Sequence, residues 1–533
     1  SQRRPTLFLA LALGLSLIVS ACAAQQPTGS QPAAPAAAPA AAPSPKAGGT
    51  LTIAMSKDIQ VTNPLVRTIS TDQVIRNLAF EALLTIDKNG TLQPKLAEKW
   101  EISADGKTFT FDLRKGVKFH NGAEMTSADV KFAMDYTMER SNGAYGYERL
   151  TLVDRIETPN PYTLRITLKD VSSTFLPSID GIETFSVIPK DSLEPGIDKP
   201  AAFPPGTGSF KFVSWTPRQS LVFDRFADYW GQKAYVDRVI IKPVEDATVR
   251  INALRSGDVD LIERAPYEWI QQIKEGKLAG ISMSEAPTAG YRRIVFNWAD
   301  PPFNNPKLRQ AFAYAIDMKE VLQAAYFGLG EIADQKYPKG HQWYIDGVPS
   351  FSYDSERAKA LLVEAGYNGE PITMIMENAA DITAIATTMQ AQLKRVGVNV
   401  VLQPMEFAAQ RDLVIKGQYS FDFMGSNYYD DPFTTYAELL CEDPRNRISN
   451  YAGYCNPEVD TLLHQIQTEL DVNKQKELLK QVLTKRYEDS PHATGVFVPR
   501  FYAFRDVVKG FKTDDDQNLI WMSGGVNYAW LDN

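Results

Sequence analysis

The chain has very little of what catalytic and metal-binding machinery is usually built from. Its 533 residues include three cysteines and four histidines. His120, His341, His464 and His492 stand too far apart for any pair to have metal-ligand spacing. HExxH, GxSxG and a complete phosphate-binding loop are missing. That excludes the metalloprotease, nucleophile-elbow and Walker-type classes that depend on them. Gly106-Lys107-Thr108 ends like a phosphate loop but lacks the upstream glycine, and Gly206-Thr207-Gly208 has no third glycine. Asp514-Asp515-Asp516 lacks the glycine and distal glutamate of a calcium loop. His120, beside Asn121-Gly122, is expected in a solvent-exposed turn. Positive charge is also scarce. With Lys+Arg at 56 against Asp+Glu at 64 there is no basic tract, which argues against a nucleic-acid partner. Long apolar runs are limited to residues 7–19, behind Arg3-Arg4: the length of a secretory leader, and short for a membrane span.

What is present is a large amount of ordinary core. A hydrophobic fraction of 44% with 23% charged residues allows two or three domains. Residues 25–47 are the exception, a nearly uncharged Pro/Ala/Ser-rich stretch that reads as an extended spacer. Residues 96–134 carry the clearest local signals. Phe109, Phe111 and Leu113 alternate with polar residues after the turn Ser103-Ala104-Asp105-Gly106-Lys107, so residues 100–114 are expected to form a β-hairpin. A short strand is expected at 117–119, and Thr126 with Asp129 reads as a helix N-cap with an acidic first turn. Residues 72–84 have helical apolar spacing, and 210–229 read as paired strands. Asn305-Pro306 opens a helix with Pro at its first position. Between 354 and 425, helix and strand alternate with short loops, the pattern of an open α/β sheet. Helices over 457–469 and 473–487 and one strand over 496–504 complete the reading.

The stretch LAEKWEISADGKTFTFDLRKGVKFHNGAEMTSADVKFAM resembles, over its whole length, the signature of the extracellular solute-binding proteins of peptide and nickel ABC importers, family 5. GTGSFKFVSW with LVFDRFADYW, SGDVDLI and FNWADPPFNNPKLRQAFAYAID resemble further signatures of that family. The resemblance implies an α/β, two-lobed periplasmic-binding-protein-like fold of the class II type with an additional inserted domain. The implied division is a signal peptide at 1–21, a lipid-anchored linker at 22–47, one lobe from 48–81, 206–290 and 505–533, an insert at 82–205, and a second lobe at 291–504. A hinge is expected near 291–294. Val19-Ser20-Ala21-Cys22 resembles a lipobox, implying lipidation of Cys22. Cys441 and Cys455 then remain as a possible disulfide, since some dipeptide-binding relatives have a pair at similar spacing; two free thiols are the alternative.

The resemblance further implies a monomeric binding protein, not an enzyme, without cofactor or metal. It would capture a peptide or peptide-like solute outside the cytoplasm and deliver it to permease subunits driven by a separate ATPase. Oligosaccharide, a cationic small molecule or a metal chelate are alternative ligands, and a secreted hydrolase is the rival from another class. Candidate ligand contacts are Tyr428, Tyr429 and Asp430 after the strand at 421–424, Glu377 and Asn378, the loop residues Thr68, Ser70 and Thr71, and Trp343 and Trp521. Two departures from the peptide binders stand out. Tyr428 occupies the position of the aspartate that receives a peptide's ammonium group, and residues 374–383 contain no arginine for its carboxylate. The expectation is therefore a ligand other than a short free peptide held at both ends.

Overall fold

The alternation around Phe109 becomes an antiparallel ladder. Strands Ala97–Ile102 and Thr108–Leu113 pair across the expected turn, where Gly106 takes a left-handed φ of 71°. The computed structural model describes residues 44–59, 61–66, 76–86, 92–142, 144, 146–179, 186–190, 192–193, 203–286, 290–299, 301–426, 431–441, 450–511, 513 and 525–532. The chain divides into Ser1–Ser44 and Pro45–Asn533, and every element below belongs to the second unit. Thr163–Leu168 and Val153–Asn160 extend the hairpin to four strands. Helix Ser127–Met138 packs beside it, the Asp129 carboxylate accepting from Thr126 N at 2.7 Å and Oγ1 at 2.8 Å.

Two larger sheets organise the rest. Seven strands lie in the order Ile281–Ala286, Arg500–Arg505, Leu261–Ile262, Thr50–Met55, Arg238–Pro243, Ser220–Arg225 and Phe210–Thr216. Six lie in the order Glu331–Ala333, His492–Phe497, Tyr291–Phe296, Phe421–Ser426, Ile372–Glu377 and Val400–Met405. Each contains a parallel triplet: Thr50–Met55 between Arg238–Pro243 and Leu261–Ile262, and Ile372–Glu377 between Val400–Met405 and Phe421–Ser426. Helices Ala380–Arg395 and Phe407–Ile415 follow strands of the second triplet, as the α/β alternation of the sequence requires. Leu51, Ile53, Phe109, Phe111, Phe223 and Val239 share one buried cluster, so the four-stranded sheet and the seven-stranded sheet have a common core.

The chain crosses between the two large sheets twice. It leaves Ala286 and re-enters at Tyr291, and it leaves Phe497 and re-enters at Arg500. Gly290, just before the second sheet is entered, meets the other crossover, Val498 N donating to Gly290 O at 3.3 Å. Residues expected as one strand over 496–504 are thus two strands in different sheets. Pro499 cannot donate to a ladder, and the pairing changes partner there. Arg500–Arg505 thus lies in the seven-stranded sheet, although the division implied by the sequence groups residues up to 504 with the second lobe. Gly495 allows the close approach of the strands beside it, since a Cβ there would stand 2.3 Å from Arg292 O.

Other expectations are also corrected. Residues 117–119 form no strand, only an isolated bridge between Lys118 and Glu124. Of the helix expected over 72–84, the described helical residues are 76–79, followed at Leu84–Ile86 by a strand. His120 is part-buried rather than exposed. Its Nε2–H donates to Gly208 O at 3.0 Å, its Nδ1 accepts from Gly206 N at 3.3 Å, and burial lowers its pKa to about 4.

Cys441 and Cys455 form a disulfide, with Cα atoms 4.5 Å apart and a separation of 14 residues. Closing a loop of that length stabilises by about 3 kcal/mol in the chain-entropy picture. The double variant Cys441→Ser/Cys455→Ser should lose about 2–3 kcal/mol of unfolding free energy in urea. Identical midpoints for oxidised and reduced wild type would contradict this.

Candidate functional site

Open α/β sheets bind ligands beyond the carboxyl ends of their parallel strands, where backbone groups and loop side chains converge. Here both parallel triplets end toward the crossovers. Thr50–Met55 leads into Ser56 and Lys57, and Leu261–Ile262 into Glu263 and Arg264. From the other sheet, Ile372–Glu377 ends in Glu377 itself, and Tyr291–Phe296, on the other side of Phe421–Ser426, carries Arg292 near its start.

These groups meet across the two sheets. Lys57 Nζ lies 3.6 Å from Glu377 Oε1 and 5.0 Å from the Phe407 ring centroid. The Tyr267 ring stands edge-on to Tyr326 with centroids 4.9 Å apart, and its hydroxyl donates to Pro499 O at 2.9 Å, on the second crossover. Ser173, which follows the four-stranded sheet in the chain, also reaches the six-stranded half: its Oγ donates to Gln467 O at 3.0 Å and accepts from Gln475 Nε2 at 2.8 Å.

Three arginines face this junction. Arg264 has a left-handed φ of 52°, an uncommon conformation for a residue with a Cβ and one that concentrates at ligand sites. Its Nε donates to Glu263 Oε1 at 2.8 Å, while Glu263 Oε2 accepts from Ser56 Oγ at 2.8 Å. Burial raises the Glu263 pKa, but Arg264 and Arg500 outweigh it and hold the carboxyl below its usual range. Arg292 Nη2 is 3.9 Å from Asp381 Oδ2, beyond hydrogen-bond distance, and its side chain keeps 29% of its surface exposed. The Arg500 side chain forms no hydrogen bond or ion pair with any described residue, and burial followed by repulsion from Arg264 lowers its pKa. Among the described residues the junction therefore holds Lys57, Arg264, Arg292 and Arg500 against Glu263, Glu377 and Asp381. Part-buried cations with donors left over can receive an anionic group.

Of the residues expected from sequence, Glu377 lies in this junction, half-buried against Lys57. Asn378 is beside it and exposed, its backbone N donating to Met405 O at 2.9 Å. Trp343 is 6% exposed and packs in a core cluster with Val295, Tyr337 and Leu483, so its ring serves the interior of the six-stranded half. Tyr428, Tyr429, Asp430, Thr68, Ser70, Thr71, Trp521 and Cys22 lie outside the described residues. Asp431 is an N-cap: its carboxylate accepts from Thr434 N at 2.7 Å and starts helix Pro432–Tyr436. Residues 374–383 hold no arginine, but Arg292, on strand Tyr291–Phe296, lies 3.9 Å from Asp381. Arg264 and Arg500 carried no local signal either, since each is a single cation at a strand end. Among the described residues no group of three or more His, Cys, Asp or Glu is placed to hold a metal ion, and no helix is long and apolar enough to cross a membrane.

A family model described as bacterial extracellular solute-binding proteins, family 5, middle region, matches residues 91–446. Heme-binding protein A of Haemophilus influenzae is 31% identical over 467 residues, covering 81% of this chain and 84% of that protein. The glutathione-binding protein GsiB of Pectobacterium atrosepticum is 28% identical over 454 residues, covering 82% and 87%. The solved structure of the periplasmic binding protein AgaA with agropinic acid, from A. tumefaciens R10, superposes with a TM-score of 0.82 at 28% identity. That match covers 91% of this chain and 99% of that one.

Proposed function

The chain belongs to the bacterial extracellular solute-binding proteins of family 5, and on that premise we propose that it captures a carboxylate-bearing, peptide-like solute between its two large sheets and hands it to a membrane permease. The observation that carries the ligand class is the junction of Arg264, Arg292 and Arg500, two of them with donors left over. It disfavours the cationic small molecule, because four cations stand there against three carboxylates, and Glu263 is already engaged by Arg264 and Ser56. The relatives that bind glutathione and agropinic acid support the same class, since both are anionic amino-acid derivatives.

The seven-stranded and six-stranded halves act as the lobes of a trap, and the paired crossovers act as its hinge. Solute bridging Arg264 and Arg500 on one side and Arg292 on the other makes contacts only when the halves approach, which is the differential affinity that drives closure. Contacts such as Lys57–Glu377 and Tyr267–Tyr326 then hold the closed form. Lipidation at Cys22 and the spacer at 25–47 tether the body to the membrane, and energy for import comes from a separate ATPase. The protein is a carrier rather than a hydrolase.

Calorimetric titration tests this with peptides bearing a free or amidated carboxyl terminus, oligosaccharides and nickel chelates. One-to-one binding of a free carboxylate, at least about tenfold tighter than its amide, is expected. Tight binding of a neutral sugar, or release of a chemically altered product, would overturn the reading.

A further inference from the structure

Arg292 and Arg293 are adjacent on strand Tyr291–Phe296 and therefore face opposite sides of the sheet. Arg292 serves the cleft. Arg293 is 1% exposed and enters the interior of the six-stranded half, which also buries Lys336 at 3% and Arg486 at 8%, the latter from helix Val472–Asp489. Three cations in one interior require three negative partners, or nearly so, because each ion removed from water costs several kcal/mol unless paired.

Among the described residues one carboxylate is there. Glu438 Oε2 accepts from Arg293 Nη2 and lies 3.3 Å from Lys336 Nζ. Lys336 also donates to Thr435 O at 2.6 Å, and Arg486 Nη2 donates to Tyr291 OH at 3.2 Å. His492, 2% exposed, stands with Nδ1 3.7 Å from Glu438 Oε1, and burial keeps it uncharged by holding its pKa well below the ordinary value. Arg293 Nε, Arg293 Nη1 and Arg486 Nε are buried without a hydrogen-bond partner, as is Glu438 Oε1, and the Arg293 guanidinium lies 5.7 Å from the Tyr291 ring centroid. If Lys336, whose pKa burial lowers to about 8, gives up its proton, two guanidinium groups still face a single carboxylate. Among the described residues the cations of this cluster outnumber its carboxylates.

We propose that the free edges of Arg293 and Arg486 bind a small monovalent anion of the halide or formate class, on the side of Arg293 away from Glu438. Such an ion joins the hinge strand Tyr291–Phe296 to helix Val472–Asp489, so it stiffens the half that carries Arg292 without touching the solute. It is a structural site separate from the cleft, and it does not depend on the solute class proposed above.

Thermal unfolding of the solute-free protein at fixed ionic strength and pH 7, with bromide or formate replacing gluconate, tests it. A saturable rise of about 3 °C is expected for the small anions. Arg293→Met and Arg486→Met should abolish the rise, and Glu438→Gln should enlarge it by removing the competing carboxylate. If either arginine variant does not fold, crystals of the wild type soaked in bromide give an independent answer: an anomalous peak between the two guanidinium groups. Bromide stabilising Arg293→Met as much as wild type, equal midpoints in bromide, formate and gluconate, or bromide peaks only elsewhere, would overturn the proposal. A larger shift with formate than with bromide identifies a carboxylate as the natural occupant; the reverse identifies a halide.

Discussion

Arg292→Met is expected to weaken binding of the preferred carboxylate-bearing solute by about 10- to 100-fold, because a hydrogen bond to a charged group contributes about 1.5–3 kcal/mol and each 1.4 kcal/mol is a factor of ten. Methionine keeps an unbranched stem of similar reach, so the packing of the arginine's aliphatic part is largely retained. The unliganded protein should melt within about 2 °C of wild type: the Arg292–Asp381 pair is 3.9 Å long and partly exposed, and such pairs contribute little. Arg292→Lys should recover part of the affinity, since it restores charge without the planar fork. Calorimetry and melting on the same samples separate the two effects. Undiminished affinity in Arg292→Met would remove Arg292 from the site.

Glu438→Gln should have the largest effect on folding. Glu438 is 7% exposed and is the carboxylate to which Arg293, Lys336 and His492 turn. Removing one partner of a buried charge pair costs about 3–5 kcal/mol, because the cations left behind stay buried. Burial by itself would raise the Glu438 pKa, but Arg293 and Lys336 overcome that and hold the carboxyl at about 2. Its folded-state pKa is thus below its unfolded one, so its contribution is complete above the ordinary carboxylate range and disappears as pH falls toward about 2. His492 acts in the same direction: the unfolded chain takes up a proton below about 6.5 that the buried ring refuses, so stability falls with pH there also. Urea unfolding of Glu438→Gln between pH 7 and 3 should keep the His492 slope and lose the steeper acid limb. An unchanged acid limb would show that Glu438 is not the group holding the cluster together.

Much of the architecture was legible because its signals are local. The alternation of Phe109, Phe111 and Leu113 depends on nearest neighbours along a strand, and those residues are buried on one face as expected. The Asn305-Pro306 start works through a side chain that reaches Lys307 N two residues on, at 3.0 Å. The helix at Pro457–Thr468 and the alternating elements between 355 and 426 follow from the same short-range periodicities. His120 failed for an equally physical reason. Its own neighbours form a turn, but the partners that bury it, Gly206 and Gly208, are far along the chain.

The ligand junction has no such local signature. Lys57, Glu263, Arg264, Arg292 and Arg500 are isolated charges at strand ends, and a single arginine beside a turn reads the same whether it meets water or a solute. The clearest case is the pair Arg292-Arg293. The sequence by itself determined the family, the two-sheet α/β architecture and the local frame in which these arginines sit. Only the pairing of Tyr291–Phe296 with Phe421–Ser426 and His492–Phe497 decided that Arg292 opens on the cleft while Arg293 is sealed beneath it. Period-two geometry sends neighbouring side chains to opposite faces, and which face is the cleft depends on strands more than a hundred residues away.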